Sequence, residues 1–164
     1  MGINQATFVH CYSNRASAAG YNISNCKALL LGCAADNGAG NGYTLAGEVT
    51  LVSCSAAVNA NKGFQVAGSS RALLIECTTY NQADPFEISA GGTVLLHGIR
   101  SDATPSSYSL LLGSGATGVN IIMGQLLDKP VFVASGAKLL GFDGATGIGN
   151  GASTSLTAPA LGTG

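Results

Sequence analysis

Eight carboxylates are the side chains of this 164-residue sequence that are best suited to acid–base chemistry. Hydrolysis of a glycosidic bond needs two of them on one face, roughly 5 to 10 Å apart. Asp84 and Glu87 lie on either side of Pro85 and form the closest pair in sequence, and Glu76 precedes them in a neighbouring segment. We take these three carboxylates as catalytic candidates. The simpler interpretation of each is a solvated residue at a corner or on an outer face. Carboxylates of two chains could also meet across a groove between subunits.

Three aromatic residues are candidates for binding carbohydrate. Tyr12, Tyr80 and Phe132 are expected to be exposed, and an aromatic ring offers an apolar surface on which a sugar ring can stack. Phe132 can instead belong to a contact between subunits.

The cysteines and histidines give no metal-binding pattern. A CxxC pair is absent, as are a P-loop, an HExxH motif and a nucleophile elbow. His10 and His97 are separated by about four repeat units and are too distant to share a metal. We therefore expect no metal site and no cofactor. The five cysteines are expected to be free thiols, mostly buried as small apolar side chains.

The composition indicates one globular domain. Only 9% of the residues are charged and 46% are hydrophobic, which argues against a disordered chain. Seven basic residues against eight acidic ones leave no basic excess for a nucleic-acid partner. No apolar run approaches the ~20 residues of a membrane span, and the N-terminus lacks the features of a signal peptide.

A repeat of about 22 residues organises the sequence. Cysteines at positions 11, 33, 54 and 77 are spaced by 22, 21 and 23 residues. A second marker repeats with the same period, as "GYNI", "GYTL", "GFQV", "PFEI", "SYSL" and "PVFV". Glycine, serine and asparagine separate the markers instead of helix formers. The pattern predicts an all-β fold, a single-stranded parallel β-helix (solenoid) of about six to seven coils.

Alternation along a strand predicts which side chains face the interior of each coil. In the second marker, residues such as Tyr43 and Leu45 should point inward, and the residues between them, from Asn22 to Ser109, outward. Counting back from Cys33 in the same way places Leu31 inside and Leu30 outside. The equivalent outward positions form an apolar stripe, made of Phe8, Leu30, Leu51, Leu74, Leu95 and Ile121.

An apolar stripe on an outer surface needs something to cover it. The last part of the chain, about thirty residues, could do so. A cyclic assembly would instead bring the stripes of identical chains together around one axis. We predict burial against identical neighbours, with the six stripe residues as the interface.

The coils "LLLGCAADNGAGNGYTL" and "LVSCSAAVNANKGFQV" resemble those of right-handed, pectate-lyase-like parallel β-helices, especially in bacteriophage tailspike and tail-fibre proteins. The resemblance covers roughly residues 8 to 135. It implies a right-handed homotrimer that attaches to polysaccharide on the bacterial surface. It also implies a parent protein that could depolymerise this polysaccharide as a hydrolase or lyase.

We expect residues 1–142 to form the β-helix and residues 143–164, rich in Gly, Ser, Thr and Ala, to form a C-terminal tail or linker. The start inside a coil suggests a fragment of a longer protein. The expected function is a trimeric shaft in the phage tail of the virion that serves host adhesion outside the cell, without nucleic-acid or membrane partners. Two alternatives remain: a self-sufficient polysaccharide lyase or glycoside hydrolase with its active site on the β-helix face, and a purely structural or adhesive β-helix.

Overall fold

The computed structural model shows an all-β parallel solenoid with about 22 residues per turn and about five turns. The predicted all-β parallel solenoid and its period are confirmed, its right-handedness and trimeric state stay predictions, and the described turns are fewer than the six to seven expected. The described residues are 4–102, 108–118, 120–123, 126–127, 131–139, 141–142 and 148–150.

Short strands separated by corners make up every turn. The strands are β1 (Gln5–Val9), β2 (Tyr12–Asn14), β3 (Tyr21–Leu31), β4 (Ala34–Asp36), β5 (Tyr43–Val52), β6 (Ser55–Ala57), β7 (Lys62–Gly68), β8 (Arg71–Ile75), β9 (Thr78–Tyr80), β10 (Asp84–Ala90), β11 (Val94–His97), β12 (Arg100–Asp102), β13 (Leu110–Leu112), β14 (Asn120–Met123), β15 (Leu126–Leu127), β16 (Val131–Val133), β17 (Gly141–Phe142) and β18 (Ile148–Asn150).

These strands pair in parallel to form three ladders along the solenoid. The aromatic ladder joins the first halves of β3 and β5 to β7, β10, β13, β16 and β18. The leucine ladder joins β1 and the second halves of β3 and β5 to β8, β11, β14 and β17. The short ladder joins β2, β4, β6, β9, β12 and β15. Because β18 belongs to the aromatic ladder, paired strands occur beyond residue 142. Most of the expected C-terminal tail lies outside the described residues, so its boundary stays a prediction.

Stacked aromatic rings fill the interior behind the aromatic ladder. Tyr21, Tyr43, Phe64 and Phe86 stack in sequence with centroid separations of 4.9, 4.6 and 5.1 Å and interplanar angles of 7–8°. The inward direction predicted for these four rings is confirmed by their burial. The Tyr43 hydroxyl donates a 2.7 Å hydrogen bond to the carbonyl of Cys33, which satisfies its polar end inside the core.

Residues in the left-handed conformation turn two corners of the solenoid. One column follows the leucine ladder and contains His10, Gly32, Ser53, Glu76 and Gly98, with φ between 50° and 63°. A second column follows the short ladder and contains Arg15, Asn37, Val58 and Asn81. Asn37 and Asn81 suit this corner, because asparagine tolerates the left-handed conformation better than most residues. Each corner residue lies between two strands, so the alternation of one strand does not continue into the next.

The stripe predicted from Cys33 is therefore assigned to the wrong face. Leu30, Leu51 and Leu74 are 0% exposed and lie inside the solenoid. Phe8 pairs in register with Leu30 and packs against the same core. Their neighbours Leu31, Val52 and Ile75, which were expected inside, face outward and are partly exposed. Gly32 and the corner residues aligned with it account for the error, because they add a left-handed step between the strand and the cysteine.

In two of the later turns, the predicted alignment with the preceding turn is wrong by one or two residues. Leu95 and Ile121 do face outward, but Leu95 pairs with Leu73 and Ile121 with Leu95, whereas Leu96 and Ile122 continue the buried column. Ser109 was expected outside and is fully buried. In the aromatic ladder Leu111 takes the outward place opposite Glu87, because Leu110 pairs with Phe86.

A buried amide pair, not predicted from the sequence, holds adjacent turns together after the short ladder. The Asn59 side chain accepts a 3.0 Å bond from the Gly38 amide and donates to the carbonyl of Ala35 at 2.9 Å. The Gln82 carbonyl oxygen accepts from the Asn59 backbone amide at 3.0 Å, and its amide group donates to the Asn59 carbonyl at 2.9 Å. These bonds satisfy polar groups that would be costly to bury unpaired.

Candidate functional site

The outer surface of the leucine ladder is the main candidate site, and we call it the leucine face. Its outward side chains form two rows that cross successive turns. The first row is Thr7, Leu29, Thr50, Leu73, Leu95 and Ile121. The second row is Val9, Leu31, Val52, Ile75, His97 and Met123.

Most of the leucine face is apolar although it is not buried within the chain. Val9 is 52% exposed and Met123 is 38% exposed, and the leucines and isoleucines of both rows are partly exposed. The three adjacent leucines show why: Leu30 points into the core, while Leu29 and Leu31 point outward on either side of it. A strand that is apolar on both faces is typical of strands covered on both sides.

Charged residues border the leucine face at the edge where the second halves of β3 and β5, and the strand β8, begin. Lys27, Glu48 and Arg71 occupy equivalent positions on successive turns. Lys27 Nζ lies 2.9 Å from Glu48 Oε2. A groove of about 400 Å³ runs beside them and is lined in part by Leu73 and Leu95. The surface thus combines an apolar centre with charges along one edge.

The candidate carboxylates lie on different parts of the solenoid. Glu76 is an exposed corner residue after β8, and its Oε2 accepts a 3.4 Å hydrogen bond from the Ser53 hydroxyl. Asp84 and Glu87 belong to β10, in the aromatic ladder. Glu76 and Glu87 therefore lie on different faces.

Asp84 and Glu87 share their surroundings with Lys62 and Tyr108. Glu87 forms a 3.2 Å ion pair with Lys62, and its Oε1 accepts hydrogen bonds from Gln65 and from Ser89. Burial raises the pKa of Tyr108, and the charges of Asp84 and Glu87 add to this shift. A carboxylate held by a cation and two donors is well suited to stabilising the fold. The catalytic role of Glu76, Asp84 and Glu87 stays a prediction.

The three aromatic candidates for carbohydrate binding do not form one surface. Tyr12 and Tyr80 are exposed on the short ladder, on strands β2 and β9, with β4 and β6 between them. Phe132 faces outward on the aromatic ladder, where its ring centroid is 6.2 Å from that of Tyr108. The "SYSL" marker begins before the strand that aligns with "PFEI", because Leu110 pairs with Phe86. The role of the three candidates stays a prediction.

The thiols are positioned as packing groups. Cys33, Cys54 and Cys77 are buried, Cys11 and Cys26 are partly exposed, and all are free. The hydrogen bond to Cys54 and burial raise the pKa of the Cys77 thiol. Cysteine, histidine and carboxylate side chains of the described residues form no group that could hold a metal ion. The same part of the chain contains no helix long and apolar enough to cross a membrane.

Neither the family models nor the curated proteins nor the solved structures include a match to the chain.

Proposed function

We propose that this chain is a shaft segment of a trimeric bacteriophage tailspike or tail-fibre protein, in which the leucine faces of three right-handed solenoids pack around a common axis. The observation that carries the proposal is the leucine face itself. Its apolar rows extend over successive turns instead of forming an isolated patch.

The other two outer faces support this choice of interface. The outward row of the aromatic ladder is polar from Asn22 through Thr44 and Gln65 to Glu87 and only then continues with Leu111 and Phe132, and the short ladder presents small or polar residues through β4, β6 and β9. Such surfaces are stable in water, whereas apolar rows gain about 25 cal/mol for each Å² of apolar surface removed from water. A cyclic assembly covers the leucine face and leaves the two polar faces exposed.

Attachment to bacterial surface polysaccharide is the second part of the proposal. It is supported by the resemblance of the coils to tailspike β-helices and by polar and aromatic groups on the exposed faces. The pair of Tyr108 and Phe132 lies on the same ladder as the Lys62–Glu87 ion pair. Aromatic rings beside charged hydrogen-bonding groups can hold a sugar by stacking and by contacts to its hydroxyls.

Assembly is tested by placing a charge on the leucine face. Leu73→Glu should dissociate the trimer to monomers in size-exclusion chromatography with light scattering, because a carboxylate would be buried between apolar rows. Thr78→Glu is the matched control on the outer face of the short ladder and should leave the mass unchanged. Equal masses for Leu73→Glu and the parent chain would contradict the proposed interface.

Attachment is tested with a panel of purified bacterial capsular and O-antigen polysaccharides. At least one polymer should bind the protein, and alanine at Phe132 should weaken that binding by about tenfold through loss of a stacking contact. Tyr12→Ala and Tyr80→Ala show separately whether the exposed tyrosines of the short ladder contribute to polysaccharide binding. Absence of binding to every polymer, or unchanged binding by all three variants, would contradict the attachment role.

A polysaccharide lyase or glycoside hydrolase is the alternative, and one observation favours keeping it. Asp84 and Glu87 lie on one strand and both act on Tyr108 through their charges. In this case the isolated chain should release new reducing or unsaturated ends from a polysaccharide that it binds. Glu87→Gln and Asp84→Asn should each abolish this turnover. Turnover by the parent chain that both variants lose would replace the shaft function with an enzymatic one.

A further inference from the structure

The two ends of β8 carry opposite charges at the two edges of the leucine face. Arg71 begins the strand and Glu76 is the corner residue directly after it. Both are exposed, and no ion pair of Arg71 is found among the residues that the structure describes. At about 3.3 Å per residue, roughly 17 Å separates the two positions, so one chain cannot pair them across its own face.

Cyclic symmetry would bring these two edges together. This step rests on the proposed trimer, with its rotation axis parallel to the solenoids. Rotation about such an axis keeps every residue at the same height. The start of a strand in one copy then lies beside the end of the same strand in the next copy, since interfaces in a three-membered ring are head-to-tail.

Each turn can be compared for the pair of residues that would meet at this seam. The turn of β1 offers Gln5 and His10, the turn of β3 offers Lys27 and Gly32, and the turn of β5 offers Glu48 and Ser53. The turn of β11 offers Thr93 and Gly98. Among these described turns, opposite charges face one another only at the level of β8.

We infer that Arg71 of each copy forms an ion pair with Glu76 of the neighbouring copy, and that this contact fixes the register and direction of the trimer. Between the two charges, Leu73 and Ile75 of the same strand lie on the apolar face and exclude water from one side of the pair. Apolar burial is non-directional, whereas an ion pair at the rim selects one arrangement over its alternatives. The Ser53 hydroxyl, bonded to Glu76 Oε2, orients the carboxylate.

Charge reversal tests the inference on the full chain. Arg71→Glu and Glu76→Arg each place like charges at all seams of the ring. Each should raise the concentration at which half of the protein dissociates by at least tenfold, measured by light scattering over a dilution series. The double variant restores opposite charges and should return to within about threefold of the parent chain. Arg15→Glu, at an exposed corner away from the leucine face, should have no effect.

Neutral variants give a second readout that does not depend on repulsion. Raising the salt concentration should weaken the parent trimer, and Arg71→Gln should reduce this salt dependence. Circular dichroism checks that each variant keeps the β-solenoid. A trimeric parent chain with single reversals that behave like Arg15→Glu would overturn the ion pair alone. A monomeric parent chain would overturn both the ion pair and the proposed assembly.

Discussion

Replacement of Leu74 by alanine is the sharpest test of the interior assignment. Leu74 is 0% exposed and lies between Leu51 and Leu96 in the buried column of the leucine ladder. The strands on both sides are held by ladder hydrogen bonds, so they cannot close the space that the missing carbons leave. Leu→Ala substitutions in such cores cost 2–5 kcal/mol, and we expect about 3 kcal/mol here. That is a substantial part of the roughly 5–15 kcal/mol that stabilises a typical domain.

Leu73→Ala is the matched control, because Leu73 is the adjacent residue and points outward. In a monomeric chain this substitution should lower the free energy of unfolding by less than about 1 kcal/mol. In the proposed trimer its effect should grow as the protein is diluted, since contacts between copies depend on concentration. Urea unfolding followed by circular dichroism at two concentrations, tenfold apart, separates the two effects. A near-neutral Leu74→Ala together with a costly, concentration-independent Leu73→Ala would refute the assignment of the two faces.

Two further predictions concern the stacked interior. Burial raises the pKa of Tyr43 above its usual 10.0, so folding favours its protonated form. The parent chain should be about 1 kcal/mol more stable than Tyr43→Phe near pH 7, where the variant lacks the hydrogen bond to Cys33. This difference in stability should shrink as the pH rises above 10, because the tyrosine ionises in the unfolded chain there. Urea midpoints of both proteins that stay unchanged from pH 8 to 11 would contradict this prediction. Gly42→Ala should lower the unfolding midpoint, since a Cβ would lie 2.7 Å from the Gly63 carbonyl oxygen. The control Gly91→Ala should have little effect because its nearest contact is 3.6 Å away. Equal losses in the two glycine variants would contradict this explanation.

The period and the aromatic column could be predicted because each turn repeats them at a nearly constant spacing. The "GYTL" and "GFQV" segments are ordinary strands in which one buried residue follows an outward one, and the alternation rule holds within them. Tyr43 and Phe64 were therefore placed correctly from the sequence alone.

The leucine ladder could not be placed by the same rule because a corner interrupts the count. Gly32 tolerates the left-handed conformation, so its position could indicate a corner. Glu76 occupies the equivalent corner although glutamate does not favour this conformation. The stacking of turns imposes that conformation through the backbone bond from Ser53 to the Ile75 carbonyl and its equivalents. Local sequence therefore predicted an apolar outer surface and assigned several of its residues to the wrong side.

The buried amides were missed for a related reason. Asn59 and Gln82 occupy one column after the second corner, but they differ in type and follow Val58 and Asn81, which share no obvious pattern. Only the register of the turns brings the two side chains within hydrogen-bonding distance.

The mass of the chain in solution tests the central claim most directly. Light scattering at micromolar concentration should give three times the 16.2 kDa mass of one chain, because three leucine faces cover one another in the proposed assembly. A stable species of 16.2 kDa at that concentration would contradict the claim that this face is an interface between copies.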